Sequence, residues 1–264
     1  MLPDFIAAQD RDFFRQTVDG KPALLFVDLG LRELLPVASH PVSGYVRVTL
    51  LQPQADGQMH PAEAASMDAI EIALWDALTP ETNVAGAIYP GRCMSRGFCD
   101  FYFYLPVAHG FKARIKAVAA EFEPYHLEGG TRADRNWNIY RDYLFPDAFG
   151  QALITSRRQC RALSAAGDAL TEPRTIAHWA VFPTEAKRQD YMHSTLLLNY
   201  TQGYSTDGRS GIQPWGIQLT HSAAPSQDSM ARVVNTLAQL AHAAGGVYEG
   251  WTAAAVASVV PSAQ

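Results

Sequence analysis

His178, His221 and Glu249 carry the side chains best suited to chemistry in this sequence. Two imidazoles and a carboxylate are the donor set of a catalytic zinc. Each falls in a stretch expected to be a strand, but no local spacing ties the three together. The chain has no HExxH, no CxxC pair, no calcium-loop pattern, no phosphate-binding GxxxxGK[ST], no dinucleotide GxGxxG and no GxSxG elbow. No catalytic residue, metal ligand or cofactor contact is therefore assigned, and ordinary histidines of the core or the surface are the simpler expectation. Asp100, inside the aromatic run FCDFYFY, needs no special role if it lies on an exposed sheet face.

The cysteines narrow the setting. Cys93, Cys99 and Cys160 are an odd, sparse set that describes no disulfide framework, so ordinary thiols in a reducing cytosol are expected. The first residues, MLPDFIAAQDRDFF, have no basic segment followed by a long apolar run, and nothing approaches a membrane-spanning length. A cytoplasmic protein without a membrane contact follows. The net charge is −5, carried by the first half: residues 1–130 hold 10 Lys+Arg against 16 Asp+Glu, and residues 131–264 hold 11 against 10. An acidic half argues against direct nucleic-acid binding. The cluster Arg157, Arg158 and Arg161 has helical spacing and reads as a helix face.

The elements that must position these residues follow from periodicity. Strands are expected at 24–29, 45–51, 83–89, 98–106 and 123–130, with helices at 60–78 and 109–122. PGRCMSRG (90–97) supplies a turn. The charged, aromatic segment 131–148 reads as a connection between domains. A helix over 147–168 then leads into strand 174–183, helix 184–198 capped by Thr184, strand 199–208, the turn DGRSG, strand 214–223, helix 225–245 capped by Ser226, and strand 247–251. The order strand–helix–strand–strand–helix–strand thus appears twice. It predicts an α+β protein of two ferredoxin-like domains, 1–146 and 147–264, with antiparallel sheets packed by helices.

The last strand is the densest local pattern, GGVYEGW (245–251). Gly245 and Gly246 stop the preceding helix, and Gly250 inside a strand marks a bulge or a close backbone approach. Tyr248, Glu249 and Trp251 join His178, Trp179, Trp215 and His221 as candidates for an interaction surface or for a cleft between the domains.

Two resemblances rest on these stretches. The second half, through LSAAGDAL, RTIAHWAVFP followed at once by TEAKRQDYM, and GGVYEGW, resembles the regulator of ribonuclease E activity B family over roughly residues 147–253. That family's closing strand looks like Tyr–Asp–Gly–Trp; Tyr248, Gly250 and Trp251 match it, with Glu249 in place of Asp. The first half is similar to the domain-of-unknown-function family 695 over roughly residues 20–146, through IEIALWDAL, RGFCDFYFYLP and DRNWNIYRDYLFP, the last by Asp134, Trp137 and Tyr140. The second resemblance implies fold and limits alone. The first implies a bacterial cytoplasmic protein that binds the scaffold part of ribonuclease E and restrains RNA decay. The expected function is a non-enzymatic, protein-binding regulator of an RNA-processing complex; the alternative is a small-molecule binder or enzyme using an inter-domain cleft.

Overall fold

The computed structural model describes residues 9–79, 86–206 and 214–256. The N-terminal residues 1–8, the start of the strand expected at 83–89, and the turn DGRSG lie outside the described residues. The chain divides into two compact units, Met1–Pro146 and Asp147–Gln264.

In the first unit, strands β1 (Arg11–Val18), β2 (Lys21–Asp28), β3 (Val42–Thr49), β4 (Ile88–Ser95), β5 (Phe98–Leu105) and β6 (Leu127–Ala133) form one antiparallel sheet in the order β1-β2-β4-β5-β3-β6. Helices α1 (Ala64–Leu78) and α2 (Phe111–Glu121) bury Met67, Ile70, Leu74, Phe111, Ile115 and Val118 against Val46, Val48, Phe101 and Phe103. These positions recur at three- and four-residue steps on the helices and at every second residue on the strands, as one-sided burial requires.

Two local expectations are corrected here. PGRCMSRG is not a turn over its length: Pro90 to Ser95 belong to β4, and the turn is only Arg96–Gly97, with φ of +58° and +81°. Two left-handed residues make the tight loop whose twist suits a hairpin. Pro90 has no N–H to give, and it falls within the register shift between Ile88 and Gly91, where a missing donor is tolerated. The segment 131–148 is also more than a connection. β6 runs through Ala133, and a single π-helical turn, Ile139–Leu144, follows. Trp137 is fully buried and stacks on Tyr104 with ring centroids 3.6 Å apart.

Asp134 organises that packing. Its carboxylate accepts from the Tyr104 hydroxyl at 2.6 Å and from the Asn138 and Ile139 amides at 2.9 and 3.0 Å. Burial favours the neutral acid, but the Tyr104 hydroxyl and the two amides outweigh it, and the group is held below the ordinary carboxylate value. The Asp–x–x–Trp–x–x–Tyr spacing is thus a folding motif: Asp134 fixes the turn, Trp137 covers Tyr104, and the Tyr140 hydroxyl donates to the Asp28 carbonyl at 2.8 Å. Asp134→Ala should lower the first unit's stability by roughly 2–3 kcal/mol, since three donors lose a charged acceptor. Denaturant titration of the first unit checks this, and the Tyr104 signal should shift with it.

The second unit opens with α3 (Ala148–Ala165), whose first turn is capped by Asp147 accepting from the Gly150 amide at 2.8 Å. It continues as β7 (Arg174–Phe182), α4 (Glu185–Leu196), β8 (Thr201–Thr206), β9 (Trp215–Ala223), α5 (Gln227–Ala243) and β10 (Val247–Ala253). The strands form an antiparallel sheet in the order β10-β7-β9-β8. Thr184 and Ser226 cap α4 and α5 by accepting from the Lys187 and Ser229 amides. Both units are thus mixed α+β structures with antiparallel sheets packed by helices.

Candidate functional site

Strand alternation decides which candidate residues can meet. On β7, Ile176, His178, Ala180 and Phe182 face the helices and are buried, so Trp179 turns to the opposite face. On β9, His221 lies across from Ile176 and Leu219 across from His178, placing His221 on the helix side. On β10, Tyr248 lies across from Ala180 and Trp251 from His178. One residue too many separates these two for simple alternation. The register shift between Tyr248 and Gly250 absorbs it, and Gly250 takes a φ of +131° that favours glycine. The bulge turns both Tyr248 and Trp251 inward and leaves Glu249 exposed.

His178, His221 and Tyr248 therefore converge. His178 Nδ1 lies 2.8 Å from the Tyr248 hydroxyl, and its Nε2 lies 3.1 Å from His221 Nδ1. The two rings stack with centroids 5.0 Å apart, and Tyr200 stands edge-on to His221 at 5.1 Å. His178 is only 1% exposed. Burial, with a smaller contribution from His221, pulls its pKa down to about 3, and burial also lowers His221. Both imidazoles are neutral at physiological pH. Desolvation, with the neighbouring Tyr191 and Tyr200, raises Tyr248 far above the usual phenol value, so the cluster carries no charge at all.

Glu249 does not join them. Among the described residues no three His, Cys, Asp or Glu side chains are placed to hold a metal ion. Trp251 packs under α3, its indole Nε1 donating to Ser156 Oγ at 2.9 Å. Trp215 is half-buried beneath the Arg188 guanidinium, 5.1 Å from the ring centroid. Trp179 and Glu249, with Thr155 and Gln159 of α3, line a hollow of about 200 Å³. Sequence reasoning grouped all seven candidates, whereas the sheet sorts them. His178, His221, Tyr248 and Trp251 build the core side, and Trp179 and Glu249 reach the surface. Tyr191 and Tyr200 complete the cluster without having been singled out; Tyr191 gave a signal only as a large ring on the inner side of α4.

The cysteines are free and buried. Cys93 pairs in register with Asp100 and Cys99 with Met94, so the two thiols face opposite sides of the sheet. Burial raises both above the usual thiol value.

These features define a two-unit α+β protein whose second sheet encloses a neutral, hydrogen-bonded histidine pair. The first unit supplies the family. The model of the family of unknown function DUF695 matches residues 9–145, more than half of the chain, and the chain belongs to that family. The model of a second family, described as regulator of ribonuclease activity B, matches residues 153–252, from within α3 to the last strand. No curated protein matches. A similar solved structure, described as that of an unknown protein from Galdieria sulphuraria, is 9% identical. The match covers 79% of this chain and 96% of that one at a TM-score of 0.22, too weak a likeness to carry an argument. No helix among the described residues is long and apolar enough to cross a membrane.

Proposed function

We propose that this protein is a regulatory, protein-binding molecule and that its second unit binds a component of an RNA-processing complex, with ribonuclease E as the first partner to test. The observation that carries this reading is the match of the regulator of ribonuclease activity B family across residues 153–252. That span takes in every strand of the second sheet and the Tyr248–Gly250–Trp251 bulge. A bacterial origin and a cytoplasmic address belong to the same reading.

A ferredoxin-like topology for each unit also belongs to it. The order β10-β7-β9-β8, with α4 following β7 and α5 following β9, supports that topology, and β4-β5-β3-β6 repeats it in the first unit with β1 and β2 added at one edge. In this reading the binding surface is the one around Trp179, which lies between Gly250 and Gln218 in register and lines a hollow with Glu249 and with Thr155 and Gln159 of α3. A half-buried Trp at the rim of a hollow is the kind of aromatic anchor that dominates protein interfaces. The alternative, a ligand site on the paired histidines, draws little support from a His178 sealed in the core.

The test is a binding isotherm of the full chain with purified ribonuclease E, using the wild type and Trp179→Asp. Saturable binding that Trp179→Asp weakens at least tenfold, with unchanged circular dichroism, is expected. Absence of binding overturns the partner, and binding indifferent to Trp179 overturns the surface.

A further inference from the structure

The hollow of about 200 Å³ beside Trp179 lies at the edge of the second sheet, where β10 is the outermost strand. Thr155 and Gln159, which line it from α3, are one helical turn apart and share a face. Thr252 pairs with Ala177, two residues from Trp179, so its side chain lies on the same side of the sheet as the Trp179 ring. The bulge beside them leaves Glu249 exposed. The place that a side chain on Gly250 would take is open: apart from its two chain neighbours, nothing among the described residues lies within 4 Å of it. The volume is below the range of pockets that enclose a whole small molecule, and it suits one long side chain.

Among the described residues that line the hollow, Glu249 is the one charged group. Its carboxylate has no ion pair or hydrogen bond among the described residues, and no ring or guanidinium stacks on Trp179. Arg157, Arg158 and Arg161 stand on the same helix as Thr155 and Gln159 but do not line the hollow. Elsewhere the second unit completes such a set with its own residues: the Arg188 guanidinium lies 5.1 Å from the Trp215 ring centroid and pairs with Glu185 at 3.4 Å. At the β10 edge, Trp179 and Glu249 stand without a guanidinium. An anion would be repelled by Glu249, and an apolar side chain would strip the carboxylate of water without offering a partner. A cation gains from both the carboxylate and the negative face of the indole. A guanidinium is flat, so it covers the ring while its N–H edge meets the carboxylate; an ammonium is a compact, strongly hydrated point charge with no such face.

We propose that this hollow seats one arginine side chain of the partner protein. The guanidinium lies on the Trp179 indole and donates to the Glu249 carboxylate, with the Gln159 side-chain carbonyl and the Thr155 hydroxyl as further acceptors. This seat presupposes that the second unit binds a protein around Trp179, as proposed above, and it specifies the side chain that the partner must present there. The bulge then has two products: it delivers Tyr248 and Trp251 to the core, and Glu249 to the partner.

The probe is the capped peptide acetyl-Gly-Arg-Gly-amide, titrated against the full chain and followed by NMR at the Gly250 and Thr252 amides. It is run beside capped peptides with lysine or citrulline in the middle; citrulline keeps the shape of arginine without its charge. The arginine peptide is expected to bind saturably with a Kd of about 1–10 mM. The lysine and citrulline peptides should bind more weakly, citrulline by about fivefold, the effect of one exposed charge pair. Glu249→Gln should weaken the arginine peptide about fivefold and leave the citrulline peptide unchanged, and Trp179→Leu should weaken the arginine peptide by a similar factor. Glu249 is exposed, so its variant does not threaten the fold. No saturation up to about 50 mM, a lysine or citrulline peptide that binds as well as the arginine one, or an equal loss of the arginine and citrulline peptides in Glu249→Gln would overturn the seat. The probe contains nothing of ribonuclease E, so two failures separate. A chain that takes the arginine peptide but not ribonuclease E has the seat and a different partner; a chain that binds ribonuclease E but not the arginine peptide lacks the seat.

Discussion

Trp251→Ala is expected to remove roughly 3–5 kcal/mol from the second unit's stability, the range for truncating a buried Trp. The indole is 6% exposed, sits across the sheet from His178 and packs in the same cluster as Cys160 and Leu163 of α3. Truncation opens a cavity under α3 and strips the buried Ser156 hydroxyl of the donor 2.9 Å away. Trp251→Phe keeps most of the apolar area but not the N–H, and should cost about 1–2 kcal/mol. Urea titration of the full chain, followed by hydrogen exchange at β7 and β10 amides, separates this unit's unfolding from the first unit's. A loss within about 0.5 kcal/mol would mean that the ring is a surface residue and not part of the core. The closing Tyr–Glu–Gly–Trp strand would then have to be a binding motif; as built, it is a folding motif whose Gly250 bulge delivers two aromatic rings to one side of the sheet.

How much of this was legible beforehand depended on whether a feature is local. The helix caps at Thr184 and Ser226, the glycine stop after α5 and the bulge at Gly250 are decided by one or two residues and were readable directly. β1 was missed because RDFFRQTV offers only Phe14 as a buried apolar residue, so an edge strand shows almost no period. Arg47 and Asp100 each read as an unremarkable charge on the polar side of a strand; only the β3–β5 register puts them opposite one another. The histidine pair failed to be assignable for the same reason, since the β7–β9 register and not any spacing brings His178 to His221. Glu249 was grouped with them as the carboxylate of the last strand; the bulge at Gly250 was legible, but not that it leaves Glu249 exposed.

The histidine pair makes the second unit acid-sensitive, and the sign follows from where the protons bind. His178 takes up a proton near pH 6.5 in the unfolded chain but only near pH 3 in the folded one. The unfolded state therefore binds more protons throughout that window, and stability is complete above pH 6.5 and falls as the pH drops towards 3. One such group costs about 1.4 kcal/mol per pH unit, or roughly 3 kcal/mol by pH 4.5. His221, lowered in the same direction, adds to it. The facing nitrogens 3.1 Å apart leave room for a single hydrogen between them, so a doubly protonated pair cannot keep this geometry. His40 in the first unit, buried between Ser39 and the Gly86 carbonyl and also lowered, makes that unit fall in the same direction, which is why the two must be followed separately. The measurement is hydrogen exchange of the Arg174–Phe182 amides between pH 7 and 4.5, corrected for intrinsic rates. His178→Gln should be less stable at pH 7, because the Tyr248 hydroxyl and His221 lose a well-placed partner, yet its stability should fall less steeply with acid by about one proton. An unchanged slope in that variant would show that His178 is already protonated in the folded protein, and that the buried pair is charged instead of neutral.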